Sequence, residues 1–428
     1  MKRKVIATLM SAAMLSSAFA PVVAQAEDVT EITVWSWDST VEAMIPAFEE
    51  ANPDIKVTFA NVGSSVDEYQ AIDNALQAGT GYPDVAHTEY FAMPYFALQG
   101  KLADLGALLS GDYADKYVEA AWSDVHFNDA LYALPLDYGP VTFFYNADTF
   151  AKAGIEEAPK TWDEFYEDAK LIRALGDEYY ITNAAGDLFM ILSLIWQAGG
   201  QPFAVDGTEV TIDFTSDACQ EAIAFWQKMV DEDLITNAIP NWSDDWSRTL
   251  NDGTLASLVI GGWMTSHLKS RAPEQSGNWR VAMMPQWDAS ENYSAENGGS
   301  VLTVLEASEK KEAAARFVEY ICDGDGVMPR VLDYTATVAN LEPYQNEEFA
   351  SVEDEFFGGQ QVNAIIGDIA SNVRPGWEFP PFFEYMRSVW EDCTADYFAT
   401  GEGSLADSIA TWQQQSIDYG NAQGFTVK

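Results

Sequence analysis

Hydrophobic residues recur along this chain with two periods that alternate from one segment to the next. Ile32 and Val34 occupy every second position, which predicts a short β-strand. Met44, Ile45 and Phe48 then recur at the spacing of a helix face, and residues 55–59 (IKVTF) predict a second strand. A β-α-β unit of this kind implies parallel pairing of its strands in a sheet that helices cover.

Two S/T-x-x-E patterns predict helix starts. Ser39 is followed by Glu42, and Thr161, which comes shortly after Pro159, is followed by Glu164. Such a pattern forms a capping box, in which the first side chain accepts a hydrogen bond from the backbone three residues later. We therefore expect Ser39 and Thr161 to cap helices.

The alternation continues to the end of the chain. Further strands are predicted at residues 83–86, 131–135, 141–145, 257–260 and 301–304, with amphipathic helices between them. A Gly-Pro stretch at 136–140 separates two of these strands, which suits a crossing between lobes. The last hundred residues are mostly helical in pattern, with a break rich in proline and aromatic residues at 374–383. This order predicts an α/β protein, and 428 residues predict two lobes.

Residues 1–26 have the composition of a cleaved export signal. A basic start at residues 2–4 precedes an apolar run over 5–23, and the small-x-small pattern of residues 24–26 predicts a mature chain that begins at Glu27. A membrane-spanning helix is the weaker alternative, because Pro21 interrupts the run and no later stretch reaches about 20 apolar residues. No cysteine lies near the cleavage point, so we expect a periplasmic or secreted protein without a lipid anchor.

The charge of the chain excludes several partners. The formal net charge is −45, from 67 acidic and 22 basic residues. A surface of this kind repels nucleic acid and anionic membranes at ordinary salt. We interpret the acidic residues as a solvated shell, suited to salty surroundings where screening weakens their mutual repulsion.

Metal, redox and hydrolytic chemistry have little support in the sequence. Cys219, Cys322 and Cys393 form no C-x-x-C pair, and the three histidines are far apart. We expect buried free thiols, with a Cys322–Cys393 disulfide as the alternative. The chain contains no G-x-S-x-G, H-E-x-x-H or glycine-rich phosphate loop, so we predict no catalytic residue, metal or cofactor.

Aromatic residues give the strongest compositional signal, with 14 Trp, 19 Tyr and 23 Phe. Aromatic faces pack against the C–H faces of sugar rings, whereas sugar hydroxyls require a few fixed polar partners. Trp162, Trp226 and Trp412 follow helical patterns and are assigned to the core. Six others lie at predicted element ends or in loops, where ligand sites of α/β proteins form: Trp35, Trp37, Trp242, Trp246, Trp263 and Trp377.

Carboxylates near these tryptophans suit the same role, because an ionised carboxylate is a strong acceptor for hydroxyl groups. They are Asp38, Glu89, Asp137, Asp244 and Asp245. Two of them would equally serve as the acid and base of a glycosidase. Among 67 acidic residues some proximity arises by chance, so both interpretations stay open.

Several segments together resemble the solute-binding proteins of bacterial ABC importers, in the large family that takes up sugars and oligosaccharides and includes the maltose-binding protein. They occur in family order at residues 32–37, 48–57, 81–85, 132–135, 144–148, 153–165 (AGIEEAPKTWDEF), 257–263 and 312–321. The match is weak beyond residue 321. The family usually has proline before the tryptophan at Trp263, whereas this chain has Gly262, which leaves the direction of the indole less fixed.

The resemblance implies the type II periplasmic-binding-protein fold, with two hinged α/β lobes that each contain a central, mostly parallel sheet. Three crossings would lie near Asp137-Tyr138, Gly298-Gly299 and residues 341–344. The first lobe would contain residues 27–137 and 298–343, and the second would contain residues 138–297 and 344–428.

The resemblance also implies a non-enzymatic component of an ABC importer, which binds a carbohydrate between the lobes and delivers it to the permease by hinge closure. We expect a monomer without a cofactor. The alternatives are the same fold binding a non-sugar such as a polyamine, which an acidic cleft would suit, and a secreted glycoside hydrolase. The predicted ligand contacts are Trp35, Trp37, Asp38, Glu89, Asp137, Tyr138, Trp242, Trp246, Trp263, Asn297 and Trp377.

Overall fold

The computed structural model of the chain describes residues 29–127, 129–183, 185–334 and 336–428. The predicted signal peptide and its cleavage site lie outside these residues. The strands are β1 (Thr30–Trp35), β2 (Ile55–Ala60), β3 (Val85–Glu89), β4 (His126–Phe127), β5 (Ala130–Leu131), β6 (Ala133–Asn146), β7 (Phe203–Asp206), β8 (Glu209–Ile212), β9 (Ser257–Gly261), β10 (Trp279–Met283), β11 (Glu296–Val304) and β12 (Thr426–Val427).

Helices separate most of these strands, which confirms the predicted α/β class. They are α1 (Ser39–Ala51), α2 (Val66–Ala78), α3 (Met93–Leu98), α4 (Glu119–Ser123), α5 (Ala147–Lys152), α6 (Trp162–Arg173), α7 (Leu188–Gln197), α8 (Asp217–Asp231), α9 (Asp244–Asp252), α10 (Met264–Arg271), α11 (Lys311–Cys322), α12 (Val327–Tyr334), α13 (Glu342–Gln345), α14 (Glu347–Ala350), α15 (Val362–Ser371), α16 (Phe383–Thr400) and α17 (Leu405–Ala422). Within the described ranges, none of the helices combines the length and the apolar content that a membrane span requires.

Strand β6 joins two halves of one seven-stranded sheet. Its first part pairs with β11, which continues through β3 and β1 to β2, and we name these strands the first half-sheet. Its second part pairs with β9 on one side and β10 on the other, and these form the second half-sheet. Both of these pairings are antiparallel, so the prediction of a mostly parallel sheet is wrong for this half. As the β-α-β pattern predicts, β1 pairs in parallel with both β2 and β3.

The prediction of two strands separated at residues 136–140 is wrong, because β6 runs unbroken through them. What changes at these residues is the strand with which β6 pairs. Glu296 of β11 pairs with Pro140, and the next residue, Val141, pairs with Gly261 of β9. Proline has no N–H to donate to a neighbouring strand, so Pro140 suits the position at which β6 leaves one partner and joins another.

The helix predicted after β1 packs on the first half-sheet. Val41, Met44 and Phe48 of α1 are buried, and the ring of Phe48 meets that of Phe317 from α11 edge to face at 5.0 Å. Burial of an apolar side chain of this size contributes about 1.5–3 kcal/mol. These contacts fix α1, and with it the loop that joins β1 to α1.

One of the two predicted helix caps is confirmed and the other is wrong. Thr161 caps α6 by accepting a hydrogen bond from the backbone N–H of Glu164. The cap of α1 is Asp38 rather than Ser39, and its carboxylate accepts from the N–H of Thr40 at 2.7 Å. Aspartate is among the preferred capping residues, and the consequence is that Asp38 stands at the end of β1 in a fixed orientation.

Helices α6, α8 and α17 carry large side chains that are buried in the core. Trp226 of α8 and Trp412 of α17 are fully buried and Trp162 is 2% exposed, which confirms their assignment to the core. The three cysteines are free thiols, so the alternative disulfide is not present. A three-stranded sheet of β7, β8 and β12 lies beside these helices.

Candidate ligand-binding cleft

A cavity of about 740 Å³ opens where β6 changes partners. The loops after β1 and β3 reach it from the first half-sheet, and the loop after β9 reaches it from the second. In α/β proteins ligands bind outside the carboxyl ends of parallel strands, and β1 and β3 follow that rule. The side chains that face the cavity from the first half-sheet form the first wall, and those from the opposite side form the second wall.

Trp37 of the first wall rests on a buried histidine. The two rings are stacked, with centroids 3.6 Å apart and planes inclined by 15°. His87 lies in β3 and hydrogen-bonds through Nδ1 with the hydroxyl of Ser36 at 2.8 Å. Burial lowers the pKa of His87 to about 3, so the ring is neutral. One indole face therefore packs on protein, and the cavity lies beside the remaining surface of the ring.

Asp38 of the first wall forms an ion pair with a buried arginine. Its carboxylate lies 2.9 Å from the guanidinium of Arg330, which is 1% exposed and donates a second hydrogen bond to the Thr40 hydroxyl at 2.8 Å. Burial alone would raise the pKa of Asp38, but the charge of Arg330 and the hydrogen bonds from Thr40 outweigh it and the pKa is lowered. Asp38 is thus an ionised acceptor with little freedom to move.

Glu89 and Asp137 complete the acidic part of the first wall, and both hold protons more tightly than usual. Burial raises the pKa of Glu89, whose carboxylate accepts a hydrogen bond from the Tyr69 hydroxyl at 2.7 Å. Burial, followed by the nearby charge of Asp38, raises the pKa of Asp137 to about 7. Near neutral pH this carboxyl is therefore divided between a form that donates and a form that only accepts.

Trp263 of the second wall is held by one hydrogen bond and fits against two glycines, where any side chain would collide with it or with its partner. Its Nε1 donates to the backbone oxygen of Asn297 at 2.8 Å. A Cβ at Gly139 would collide with that oxygen, and a Cβ at Gly261 would collide with the indole nitrogen. The small residues of β6 and β9 thus direct this ring toward the cavity, and the hydrogen bond supplies the orientation that the absent proline leaves open.

Trp242 extends the second wall outward. Its ring lies nearly parallel to that of Trp263, with centroids 5.8 Å apart and planes inclined by 23°. His267 meets both indoles edge to face, and the guanidinium of Arg271 lies 4.8 Å from the Trp242 ring. Trp242 is nevertheless 45% exposed and has a left-handed backbone at φ 70°.

Sequence reasoning missed several residues of the second wall. Asp187 caps α7 and accepts from the Asn241 side chain at 3.2 Å, and both residues line the cavity. Phe189 lines it as well, and its ring meets that of Phe91 from the first half-sheet at 5.4 Å. Asp187 followed by an apolar run is a helix-start signal, so the sequence could have predicted that Asp187 lies at the start of a helix. Nothing in the sequence indicated the contact between the two phenylalanines.

Of the eleven predicted contacts, the structure brings seven to the cavity: Trp37, Asp38, Glu89, Asp137, Trp242, Trp263 and Asn297. The other four lie elsewhere, for reasons that differ. Trp35 is half-buried within β1 against the core, and Tyr138 is 2% exposed because neighbouring residues of a strand point to opposite faces. Trp246 is fully buried in α9, and Trp377 stacks on Trp196 at 4.8 Å.

The arrangement is suited to holding a neutral, hydroxyl-rich molecule. Indole faces stand near fixed carboxylates, and the buried cation behind them, Arg330, is already paired with Asp38. Among the described residues, no group of three or more His, Cys, Asp or Glu side chains is placed to hold a metal ion.

Comparison with known proteins places the chain in a family. The model of the bacterial extracellular solute-binding proteins matches residues 35–322. A lactose-binding protein of Rhizobium radiobacter is 28% identical in an alignment of 423 positions that covers 96% of each chain. An arabinooligosaccharide-binding protein of Bacillus subtilis is 24% identical and covers 81% of this chain and 82% of its own.

Solved structures agree on the fold. A binding protein associated with an ABC transporter of Bifidobacterium animalis subsp. lactis, in complex with β-1,6-galactobiose, is 42% identical with a TM-score of 0.83, over 94% of this chain and 100% of its own. The galacto-N-biose/lacto-N-biose I-binding protein of Bifidobacterium longum is 24% identical with a TM-score of 0.80, over 94% and 99% of the two chains, and shows the fold alone. The predicted two-lobed periplasmic-binding-protein fold is confirmed, and the chain belongs to the bacterial extracellular solute-binding protein family.

Proposed function

We propose that this protein is the exported binding component of an ABC importer and that it binds a neutral disaccharide or short oligosaccharide containing galactose. The observation that carries the proposal is one cavity in which the indoles of Trp37 and Trp263 stand on opposite walls beside Asp38, Glu89 and Asp137. Indoles suit the apolar faces of a sugar ring, and carboxyls suit its hydroxyls. The relative at 42% identity, which holds β-1,6-galactobiose, and the lactose-binding relative support galactose in particular.

Hinge closure follows from where the two walls are attached. A ligand touches both walls only when they are together, so it favours the closed form over the open one. Strand β6 crosses between the half-sheets, and β11 pairs with it as far as Pro140, with Gly298 and Gly299 giving β11 two residues with positive φ beside the crossing. We propose lobe boundaries at 137/138 and 297/298, with a third near residue 343.

Two other functions receive less support. Polyamine binding would use an open acidic cleft, but Asp38 is paired with Arg330, and the raised pKa values of Glu89 and Asp137 reduce the negative charge there. Glycoside hydrolysis would make the chain an enzyme, whereas the relatives named above are binding proteins. We propose further that the protein is a monomer, that an export signal directs it to the periplasm or the medium, and that permease subunits recognise its closed form.

Calorimetry on the purified mature chain tests the proposal. We expect β-1,6-galactobiose and lactose to bind with dissociation constants at or below about 10 μM, the range in which calorimetry gives a full isotherm, and maltose and spermidine to bind at least tenfold more weakly. The recovered sugars should be unaltered after prolonged incubation. Absence of binding by every galactoside, tighter binding of spermidine, or any cleavage of the sugar would overturn it.

A further inference from the structure

A second cavity of about 650 Å³ lies beside the cleft, between helices α2 and α3 on one side and helices α16 and α17 on the other. Helices α2 and α3 flank strand β3 of the first half-sheet in the chain, whereas α16 and α17 belong to the proposed second lobe, so both lobes line this cavity, as they line the cleft. Its aromatic lining consists of Tyr69, Tyr95, Phe382, Tyr385, Tyr419 and Phe425. None of these residues faces the first cavity.

The partition between the two cavities is a single layer of side chains. Ser65 faces the cleft, while its neighbour Val66 faces the second cavity. Glu89 faces the cleft and accepts its hydrogen bond from Tyr69, which faces the second cavity.

Arg387 of α16 closes this layer from the opposite side. Its guanidinium donates to the Ser65 hydroxyl at 3.2 Å and lies 5.4 Å from the ring of Phe91, so it reaches across the interface between the half-sheets. It also pairs with Glu384 of its own helix at 3.4 Å. Ser65 has a left-handed backbone at φ 52°, a conformation that costs a residue with a side chain some strain.

The charge of Arg387 stabilises the ionised forms of two carboxyls in this layer, Glu89 and Glu384. Burial raises the pKa of Glu89, and it raises the pKa of Glu384 to about 7, while Arg387 acts against the rise in both. A long, flexible side chain that is held by polar contacts can leave them for water, which rigid core packing does not allow.

The chemistry of the second cavity matches that of a sugar site. The rings of Tyr385 and Tyr419 are stacked face to face, with centroids 3.6 Å apart and planes inclined by 7°, so their inner faces cover each other and only their outer faces and edges are left for a ligand. Neutral side chains that both donate and accept, Gln70, Gln99 and Gln423, lie around it. Aromatic rings together with side-chain amides suit a polyhydroxylated ring, whose C–H faces pack on the rings and whose hydroxyls pair with the amides.

We infer that the second cavity holds the additional sugar units of an oligosaccharide whose first units occupy the cleft, and that the Arg387 side chain determines whether a chain passes between them. The inference rests on the proposed function. The two cavities have similar volumes, 740 and 650 Å³, so a ligand that fills both is about twice as long as one that fills the cleft. Arg387 is then a residue that sets ligand length.

Titration of β-1,6-galactobiose and β-1,6-galactotetraose into the wild type and two variants tests the inference. Tyr419→Ala removes one ring of the stacked pair and should weaken tetraose binding about fivefold while it changes biose binding less than twofold. Arg387→Ala should shift the ratio of the two affinities at least about threefold in favour of the tetraose. Tyr82→Ala, which alters a tyrosine that faces neither cavity, is the matched control and should leave the ratio unchanged.

The outcomes separate the inference from the proposed function. If the wild type binds neither sugar, the proposed function fails and the inference falls with it. If biose binds but the ratio is the same in the wild type and in both variants, the inference alone is wrong. Should Arg387→Ala not fold, Arg387→Lys and Tyr419→Ala still decide. A fluorescent probe of apolar surfaces, 1-anilinonaphthalene-8-sulfonate, that binds the wild type but not Tyr419→Ala and is not displaced by the tetraose would assign the cavity to an apolar partner and overturn the inference.

Discussion

The two walls of the cleft hold their ligand-facing side chains in different ways. On the first wall, Trp37 is stacked on the buried ring of His87, and Asp38 is held by the 1%-exposed Arg330. On the second wall, Trp263 depends on one hydrogen bond to a backbone oxygen, and Trp242 is 45% exposed. The first wall is part of a polar network inside the protein, whereas the tryptophans of the second wall form an aromatic surface beside the Asp187–Asn241 pair.

This difference assigns the walls different tasks. Fixed charges and hydrogen-bonding groups discriminate between hydroxyl orientations, because a buried hydroxyl without a partner costs about 1–3 kcal/mol. Stacked rings contribute contact area and tolerate small changes in ligand shape. We therefore expect substitutions on the first wall to lower the stability of the fold, and substitutions on the second wall to lower affinity.

The largest effect should follow from Asp38→Ala. The change removes the partner of a buried guanidinium and the cap of α1 together. Removing one member of a buried ion pair costs about 3–5 kcal/mol, so we expect the free energy of unfolding to fall by at least 3 kcal/mol. Chemical denaturation measures it.

Asp148→Ala is the matched control for this substitution. It breaks the Lys152–Asp148 pair, whose side chains are 53% and 57% exposed, and exposed pairs contribute about 0–1 kcal/mol. Equal losses in the two variants would show that the first wall is not the rigid one.

Trp263→Ala should give the second largest effect, and on affinity rather than on stability. The substitution removes the indole that the glycines of β6 and β9 accommodate, and we expect β-1,6-galactobiose to bind about 100-fold more weakly, as for a central aromatic contact. The free energy of unfolding should fall less than in Asp38→Ala. Trp122→Ala is the control, since this half-buried indole stacks on Tyr117 at 5.8 Å outside the cleft. Unchanged affinity of Trp263→Ala by calorimetry would remove that residue from the site.

Asp137→Asn probes the proton on the first wall. Burial raises the pKa of this carboxyl from 3.8 to about 7 in the folded state. Below about pH 4 both states carry the proton, and between about 4 and 7 only the folded state does, so stability falls as pH rises through this window. Between pH 5 and pH 8 we expect the wild type to lose about 1–2 kcal/mol more than Asp137→Asn, after allowance for partial solvation. Denaturation curves at both pH values decide, and parallel losses would place this carboxyl in water.

Strand ends could be predicted from the sequence, and with them most of the first wall. Trp37 and Asp38 closely follow one predicted strand and Glu89 lies three residues beyond another, and α/β proteins gather such residues at one edge of a sheet. Asp137 and Tyr138 could not be separated by the same logic, because residues 136–140 are predicted to lie between strands, and only the continuous strand β6 places these neighbours on opposite faces. Asp137 faces the cleft and Tyr138 is buried.

Long-range partners could not be predicted in this way. Arg330 is almost three hundred residues from Asp38, and no local pattern connects them. The sequence places Trp377 in a loop, but it does not show that Trp196 of α7 stacks on its ring and occupies it. Trp246 lies near Trp242 in sequence, but the helix that Ser243 caps turns it into the core and leaves Trp242 outside. The identity of an aromatic residue gives its chemistry, and only packing decides whether that chemistry is available.

The smallest effect should come from Trp242, and it tests the second wall most directly. Because this ring is 45% exposed, we expect Trp242→Ala to weaken galactobiose binding only about fivefold, or about 1 kcal/mol. Its backbone at φ 70° is left-handed, which costs about 1–2 kcal/mol in any residue with a Cβ and almost nothing in glycine. Trp242→Gly should therefore bind as weakly as Trp242→Ala but unfold with a higher free energy. If Trp242→Gly is more stable than Trp242→Ala but binds galactobiose more weakly than the wild type, the second wall holds this indole against the preference of its own backbone. Equal stabilities of the two variants would show that no strain is stored there.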